Sequence, residues 1–247
     1  MIVIGIDCAT DPKKVGIALA DCDESKCALV AVELGESQEL LARKIASWLP
    51  SSSPALLALD APLGWPASLG PALVQHTAGE PVGQNPNLLF RRGTDRFVKE
   101  EIGKQSLDVG ADRIARTAVS ALRLLADIRK LTGHPIPLAW SPQIPSGPAA
   151  IEVYPAATLT AHGLRASGYK TPRDEEQRAE ILRGLGERME IQSDLRDLPR
   201  SNADALDAVV CVLAGCDFIR GHALSPPDLD EAKREGWIWV AGMARPH

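Results

Sequence analysis

Several features that mark other protein classes are absent from this 247-residue sequence. No apolar run approaches the roughly 18 to 20 residues that a membrane-spanning helix needs. Met1 is followed directly by the apolar segment IVIGID, without the basic region and small-residue cleavage site of a signal peptide. We therefore expect a cytoplasmic protein with no membrane association.

Cysteine is scarce, and its spacing shows no pairing. The chain has five cysteines, an odd number without any C-x-x-C pair: Cys8, Cys22, Cys27, Cys211 and Cys216. This pattern suggests neither a disulfide framework nor a structural zinc site. Because cysteine is among the residue types most often buried, we expect free thiols that lie mostly in the core.

Positive charge is in deficit, because 27 Lys and Arg residues face 32 Asp and Glu residues, which gives a net charge of −5. Tight non-specific binding to nucleic acid depends on a basic surface, so any contact with nucleic acid must be local. An enzyme that binds metal ions can be acidic overall, since its carboxylates are neutralised only when the ions bind.

No repeat or low-complexity segment divides the chain, and its length is sufficient for one hydrophobic core. We expect a single domain over residues 1–247, with a loop-rich insertion at about 62–110. Loops this long inside a compact domain are usually functional or partly helical, so we expect the insertion to face the substrate. The oligomeric state stays open.

The order of the secondary-structure elements follows from short apolar runs and helical periodicities. Three β-branched segments open the chain, at 2–7, 15–20 and 28–34. The later elements are predicted at 37–49 (helix), 55–61 (strand), 111–132 (helix), 149–155 (strand), 174–188 (helix), 202–219 (helix) and 235–242 (short strand). This order predicts an α/β fold of the ribonuclease H-like type, a mixed sheet in which three antiparallel strands are continued by parallel strands, with helices on both faces.

Two aspartates are predicted to meet at one edge of this sheet. Asp7 ends the first strand and Asp60 lies near the end of the fourth, so parallel neighbours would place them about 4.8 Å apart. Asp is also common where a strand turns into a loop, which is a structural alternative for each residue taken alone. Their shared edge favours a joint role.

Two further aspartates stand three positions apart on the last long helix, so Asp204 and Asp207 project from the same face. The segment Ser201 to Asp204 is similar to a capping box with Asp in place of Glu, which gives Asp204 a structural alternative. A cap explains Asp207 less well, because this residue interrupts the apolar stretch ALDAVVCVLAG, where an unpaired carboxylate is costly.

Glu152 lies within the apolar segment AAIEVYP, where a buried carboxylate needs a cation or an arginine as its partner. A metal ligand and a structural ion pair with Arg91, Arg92 or Arg96 are equally compatible with this position. Clustered carboxylates suit Mg²⁺ or Mn²⁺ rather than zinc, and two such ions can hydrolyse a phosphodiester. The predicted metal ligands and catalytic residues are Asp7, Asp60, Glu152, Asp204 and Asp207.

A local group of basic residues in the segment RRGTDRFVKE offers contacts to a phosphate. Arg91, Arg92 and Arg96 can bind phosphate oxygens through bidentate guanidinium contacts, and Lys170, on a turn before Pro172, is a weaker candidate. The structural alternative is a solvated helix start with Thr94 as its N-cap. We expect nucleic acid or a nucleotide as the substrate.

Histidine offers no recognisable metal site. His76, His134 and His162 fall in predicted loops without metal-ligand spacing, so we expect all three at the surface.

Short motifs along nearly the whole chain resemble those of one family, the domain of unknown function 429, a branch of the ribonuclease H-like superfamily. They are GID at 5–7, LDAPLGWP at 59–66, RRGTDR at 91–96, EVYPAAT at 152–158, DALDAVVCVLAG at 204–215 and EGWIWV at 235–240. The resemblance implies a ribonuclease H-like fold and a metal-dependent nuclease, with the family's acidic positions on the five residues named above. Holliday junction resolvases show the nearest pattern in the superfamily, but this acidic chain has no obvious counterpart of their basic, dimeric DNA-binding surface.

Two other functions stay open. An ATP-dependent phosphotransferase of the actin-like branch shares the strand order, but it grips phosphates with Gly-rich hairpins, and the segment CATDPKKVG has one glycine. A non-catalytic binding module would use the 62–110 insertion to bind a protein or a metabolite, and it would not need its five carboxylates to converge.

Overall fold

The computed structural model describes residues 1–23, 25–50, 52–110, 112–144 and 146–243. Its central sheet has the strand order β3-β2-β1-β4-β5. The strands are β1 (Ile2–Asp7), β2 (Gly16–Cys22), β3 (Cys27–Leu34), β4 (Ala55–Asp60) and β5 (Pro148–Glu152). The first three strands are antiparallel, whereas β4 runs parallel to β1 and β5 runs parallel to β4. This arrangement confirms the predicted ribonuclease H-like mixed sheet.

The helices are α1 (Gln38–Trp48), α2 (Leu69–Leu73), α3 (Pro86–Phe90), α4 (Gly93–Ile102), α5 (Asp112–Thr132), α6 (Pro155–Ala161), α7 (Glu175–Leu185), α8 (Asp197–Ser201), α9 (Ala203–Ile219) and α10 (Leu229–Glu235). Successive side chains of a strand point to opposite faces of the sheet, so the apolar strands β1 and β4 feed two cores. Ile4 and Leu57 pack with α1 and α5 on one face, while Val3 and Leu56 pack with α9 on the other. Helices therefore cover both faces, as predicted.

Glycine allows α9 to lie unusually close to the sheet. A Cβ atom on Gly5 would come within 2.1 Å of the Ala208 carbonyl oxygen, and one on Gly16 would come within 2.1 Å of the Asp204 carbonyl oxygen. Both positions therefore require glycine, because any larger residue would push the helix outward. The first turns of α9 are in this way held against β1 and β2.

Several elements differ from the sequence prediction. The short strand predicted at 235–242 is wrong, because this segment forms only isolated bridges, between Glu152 and Ile238 and between Ala223 and Ala241. Helices α6, α8 and α10 were not predicted. The insertion at 62–110 contains α2, α3 and α4, and the predicted first residue of α5, Ala111, lies outside the described residues.

None of the helices in the described residues is long and apolar enough to cross a membrane. Four of the five cysteines are buried, as predicted, and Cys8 is partly exposed.

Candidate active site

Asp7 and Asp60 lie directly opposite each other in the parallel ladder between β1 and β4, at the carboxyl ends of both strands. Burial, followed by repulsion from Asp60 and Asp204, raises the pKa of Asp7 well above its ordinary value. Burial also raises the pKa of Asp60, to about 7. These two acids therefore remain protonated to a higher pH than an ordinary aspartate, unless a nearby cation stabilises their ionised forms.

Asp204 faces the same region from the first turn of α9. The N-cap of this helix is Asn202, whose side-chain oxygen accepts a hydrogen bond from the Ala205 N–H at 2.9 Å. The alternative in which Asp204 caps the helix is therefore not supported, and its carboxylate is available for another role. Burial raises its pKa, and the positive charges of Lys170 and Lys14 lower it.

Asp207 is fully buried one turn further along α9. The Tyr169 hydroxyl donates a hydrogen bond to its Oδ1 at 2.8 Å. Its Oδ2 pairs with the ammonium of Lys170 and has no hydrogen bond to any other described residue. The side chain of Lys170 is 57% exposed, so the buried carboxylate of Asp207 is paired with a cation that contacts solvent.

Lys170 is the cation that these acids share. Its charge favours the ionised forms of Asp7, Asp60 and Asp204, in addition to pairing with Asp207. A single ammonium thus lies near four carboxylates that come from β1, β4 and α9.

The four aspartates spread around this ammonium rather than forming a closed cage. Within the described residues, the one group of three His, Cys, Asp or Glu side chains with ligand atoms all inside 4.8 Å consists of cysteines elsewhere in the chain. Nevertheless, the donor set suits a divalent ion. Three of the acids are held with raised pKa values, and the buried Oδ2 of Asp207 has only a solvent-exposed lysine as its partner.

Glu152 is engaged by an arginine. All five N–H groups of the buried Arg92 guanidinium are used, on the carboxylates of Asp95 and Glu152 and on the Glu235 carbonyl. The Glu152 oxygens lie 2.6 and 2.8 Å from Arg92, and Oε2 also accepts the Leu63 N–H at 2.9 Å. Of the two alternatives for Glu152, the geometry favours the structural ion pair over the metal ligand.

Each of the three arginines predicted to bind phosphate lies close to an acidic residue. Arg92 is 1% exposed and has no free donor for a phosphate, because its carboxylate partners take up its whole guanidinium. Arg91 pairs with Asp108 at 2.7 Å, and Arg96 lies 3.6 Å from Glu231. Of the basic residues predicted to contact substrate, Lys170 is the one that reaches the aspartates.

Thr94 is not the N-cap of α4 either. It is buried, and its hydroxyl accepts a hydrogen bond from the Ile238 N–H at 2.8 Å, whereas Arg92 holds the N-cap position. The helix start is thus part of the core around Arg92 rather than a solvated surface.

A family model described as "Protein of unknown function (DUF429)" matches residues 5–232 of the chain. The chain belongs to the DUF429 family. Among solved structures, it is similar to "T. thermophilus RuvC in complex with Holliday junction substrate", with 13% identity and a TM-score of 0.36, over 85% of this chain and 92% of that one. No protein of curated function matches it significantly.

A cavity of about 210 Å³ opens beside Asp60 in this DUF429 protein. Its walls include Asp60, Leu107, Val109, Ile114 and Tyr154. A larger cavity, of about 1030 Å³, is lined by residues of the segment 70–84 alone and contains none of the predicted site residues. Because Asp60 lines the smaller cavity, this cavity rather than the larger one adjoins the four aspartates.

One residue of this region lacked a sequence signal. Tyr169 falls outside any periodic pattern, and only the fold brings it to Asp207. Tyr154 lies in the predicted strand at 149–155 and in the motif EVYPAAT, but neither pattern indicates that it lines the cavity. His162, expected at the surface, is instead largely buried, with its Nε2 2.8 Å from Oδ2 of Asp217. The surface prediction for His162 is therefore wrong.

Proposed function

We propose that this DUF429 protein is a metal-dependent nuclease that hydrolyses phosphodiester bonds at Asp7, Asp60, Asp204 and Asp207. The observation that carries the proposal is the placement of these four carboxylates, from three elements, around the single ammonium of Lys170. A cation stabilises the ionised forms of acids whose pKa values are raised by burial and mutual repulsion. Oxygen-only donors suit Mg²⁺ or Mn²⁺.

Divalent ions held there would supply an activated water and stabilise the leaving oxygen. The chain itself supplies a rigid frame for this chemistry. Asp7 and Asp60 are fixed by strand register, and Asp207 is oriented by the Tyr169 hydroxyl. We assign Lys170 to a non-bridging phosphate oxygen of the substrate, because its half-exposed side chain pairs with Asp207 and acts on the other three acids.

We assign Glu152 and Arg92 to support rather than to catalysis. Their buried ion pair joins the end of β5 to the start of α4 and to the end of α10. This pair also lies in the wall of the cavity beside Asp60, so it holds the shape of that cavity.

The cavity beside Asp60 indicates the class of substrate. Its volume of about 210 Å³ and its largely apolar walls suit a single nucleobase, and Tyr154 offers an aromatic ring for stacking. A base within a duplex cannot enter such a pocket without leaving the stack. Together with the net charge of −5, this favours a single strand, a strand end or a free nucleotide over a long duplex.

The test is Mn²⁺-dependent cleavage of single-stranded, duplex and branched nucleic acids by the wild type and by Asp60→Asn. We expect cleavage of single strands, and a loss of about two orders of magnitude or more in the variant, because one anionic ligand is removed. Glu33→Gln is a matched control, since Glu33 is a partly exposed acid on β3 that pairs with Lys44 at 2.8 Å. Equal cleavage by wild type and Asp60→Asn would remove Asp60 from the site. A wild type inactive on every substrate would instead support a non-catalytic binding module.

A further inference from the structure

A second cluster of reactive side chains lies at the opposite end of the sheet. Cys22 ends β2, Cys27 begins β3, and Cys216 lies near the end of α9. In the β1–β2 ladder Asp7 is opposite Gly16, and β2 runs on from there to Cys22. At about 3.3 Å per residue, this places the thiols about 20 Å from the aspartates. The two clusters are therefore separate sites.

The three sulphur atoms form a nearly equilateral triangle. Their separations are 2.8 Å between Cys22 and Cys27, 2.7 Å between Cys22 and Cys216, and 3.0 Å between Cys27 and Cys216. All three side chains are buried. In the described residues, they are also the one group of three or more His, Cys, Asp or Glu side chains whose ligand atoms all lie within 4.8 Å of one another.

The topology explains why these thiols meet. The Asp23 N–H bonds to the Lys26 carbonyl at the hairpin, so Cys22 and Cys27 are the next, non-hydrogen-bonded pair of the ladder. Side chains of such pairs approach each other most closely. Helix α9 crosses the same face of the sheet and adds Cys216 as the third thiol.

A partly exposed arginine lies near the cluster and has one buried guanidinium nitrogen. Nη2 of Arg220 is buried and makes no hydrogen bond to any described residue, while its Nε donates to the Asp23 carbonyl at 3.2 Å. Arg220 caps the end of α9 that carries Cys216, and a guanidinium nitrogen without an acceptor among the described residues favours negative charge on the nearby thiols.

We propose that Cys22, Cys27 and Cys216 bind one thiophilic metal ion through three thiolates. Thiolate ligands select soft ions such as Cu(I), and also Zn²⁺. A disulfide would single out two sulphurs, whereas the three separations are similar. Coordination at about 2.3 Å requires each sulphur to move outward by only roughly 0.7 Å.

The number of ligands among the described residues distinguishes between the two ions. Within the described residues, no His, Cys, Asp or Glu joins the three thiols inside 4.8 Å. Structural Zn²⁺ sites are almost always four-coordinate, whereas Cu(I) accepts three thiolates in a plane. The three ligands found among the described residues therefore favour Cu(I), and Zn²⁺ would need a further ligand beyond them.

The experiment reconstitutes the whole protein anaerobically with Cu(I) or with Zn²⁺, removes unbound ion and measures retained metal by mass spectrometry. We expect about one Cu(I) per chain and a raised thermal midpoint, because the preformed site of the folded state binds the ion more tightly than the unfolded chain does. In competition with a Cu(I) chelator, Cys216→Ala should retain at least about tenfold less ion, since the three-coordinate site loses one of its thiolates. Cys211→Ala is the matched control, since Cys211 lies on the same helix, is equally buried, and is outside the triangle.

A second variant and a count of reactive thiols test the proposal even if Cys216→Ala does not fold. Cys22→Ser alters the hairpin end rather than the buried helix and should lose the ion equally. Wild-type protein unfolded without reductant and with a chelator should show all five thiols of the chain. Only three reactive thiols would reveal a disulfide and overturn the proposal, as would five thiols with no metal retained. Retention of Zn²⁺ alone would overturn the three-coordinate Cu(I) assignment.

Discussion

The ammonium of Lys170 pairs with Oδ2 of Asp207, a carboxylate that is otherwise enclosed by the core around α9. Lys170 therefore stabilises a buried charge in the metal-free protein. A divalent ion held by the aspartates would bring its positive charge close to this ammonium. Lys170 therefore stabilises the metal-free protein and opposes metal binding.

Substitution of Lys170 by Met separates these two effects. We expect the free energy of unfolding of metal-free protein to fall by about 1 to 2 kcal/mol, because Asp207 loses its partner, although solvent screens this half-exposed pair. The affinity for Mn²⁺ should rise about fivefold, since one competing charge is removed. Denaturant midpoints and calorimetric titration measure both quantities. Lys44→Met, which breaks an exposed pair with Glu33, should alter neither, and a lower Mn²⁺ affinity in Lys170→Met would contradict this account.

Asp204 and Asn202 distinguish metal binding from helix capping. Asn202→Ala removes the N-cap of α9 and should cost about 1 kcal/mol of stability while leaving Mn²⁺ affinity unchanged. Asp204→Asn should do the reverse. It should leave metal-free stability unchanged or slightly raised, because burial disfavours its charge, and it should lower Mn²⁺ affinity at least about tenfold. If Asp204→Asn binds Mn²⁺ like the wild type, Asp204 is not a ligand.

The raised pKa values of Asp7 and Asp60 predict a pH dependence with a definite sign. Between the ordinary Asp pKa of 3.8 and the value of about 7 for Asp60, the folded chain holds more protons than the unfolded chain. Stability of metal-free protein contributed by these acids is therefore present at low pH and is lost as the pH rises through this range, by about 1.4 kcal/mol for each unit of pKa displacement.

Denaturant midpoints measured from about pH 4 to about pH 8 test this sign, and Asp60→Asn should flatten the slope. Mn²⁺ favours the ionised acids, so its affinity should rise with pH over the same range. A metal-free stability that increases steadily toward pH 7, equally in wild type and Asp60→Asn, would show that these acids ionise normally in the folded state.

The parts of the site that lie on regular elements were predictable from the sequence. Asp7 and Asp60 end apolar strands, and strand order alone places two such ends side by side. Asp207 stands out because it interrupts an apolar helix. Strand ends and a charged residue within an apolar helix are local patterns, so they can be recognised in a single sequence.

The parts that depend on tertiary contacts were not predictable. Arg92 follows another arginine in a polar segment, and nothing local shows that it is buried against Asp95 and Glu152. Cys22 and Cys216 are far apart in the chain, and only the crossing of α9 over the sheet brings their sulphurs together. Short helices such as α8 bury too few residues to produce a clear periodicity.

The close approach of α9 to the sheet should make Gly16 intolerant of substitution. In Gly16→Ala the new methyl group would meet the Asp204 carbonyl oxygen at 2.1 Å, so the start of α9 must move. We expect a loss of about 3 kcal/mol in stability, together with weaker Mn²⁺ binding because Asp204 moves with the helix. Gly70→Ala has open space around it and should be neutral or slightly stabilising. A Gly16→Ala protein as stable as wild type would show that α9 is not held in this way.

Glu152 is the residue for which the two roles predict the most different results. Arg92 shares its guanidinium between Glu152 and Asp95, so Glu152→Gln leaves one of these two buried ion pairs and should lower stability by about 1 to 3 kcal/mol. Asp108→Asn, which breaks the partly exposed pair with Arg91, should cost less than about 1 kcal/mol. Denaturant unfolding of metal-free protein gives both values.

Metal affinity then decides the role of Glu152. The informative protein is Glu152→Gln itself, in which the buried Arg92 remains paired with Asp95. If Glu152 only supports the fold, the folded variant should bind Mn²⁺ within about twofold of wild type, because Asp7, Asp60, Asp204 and Asp207 are unchanged. A loss of about tenfold or more would make Glu152 a ligand. Burial raises the pKa of Glu152, and Arg92 would then be the group that offsets part of this rise until the ion binds.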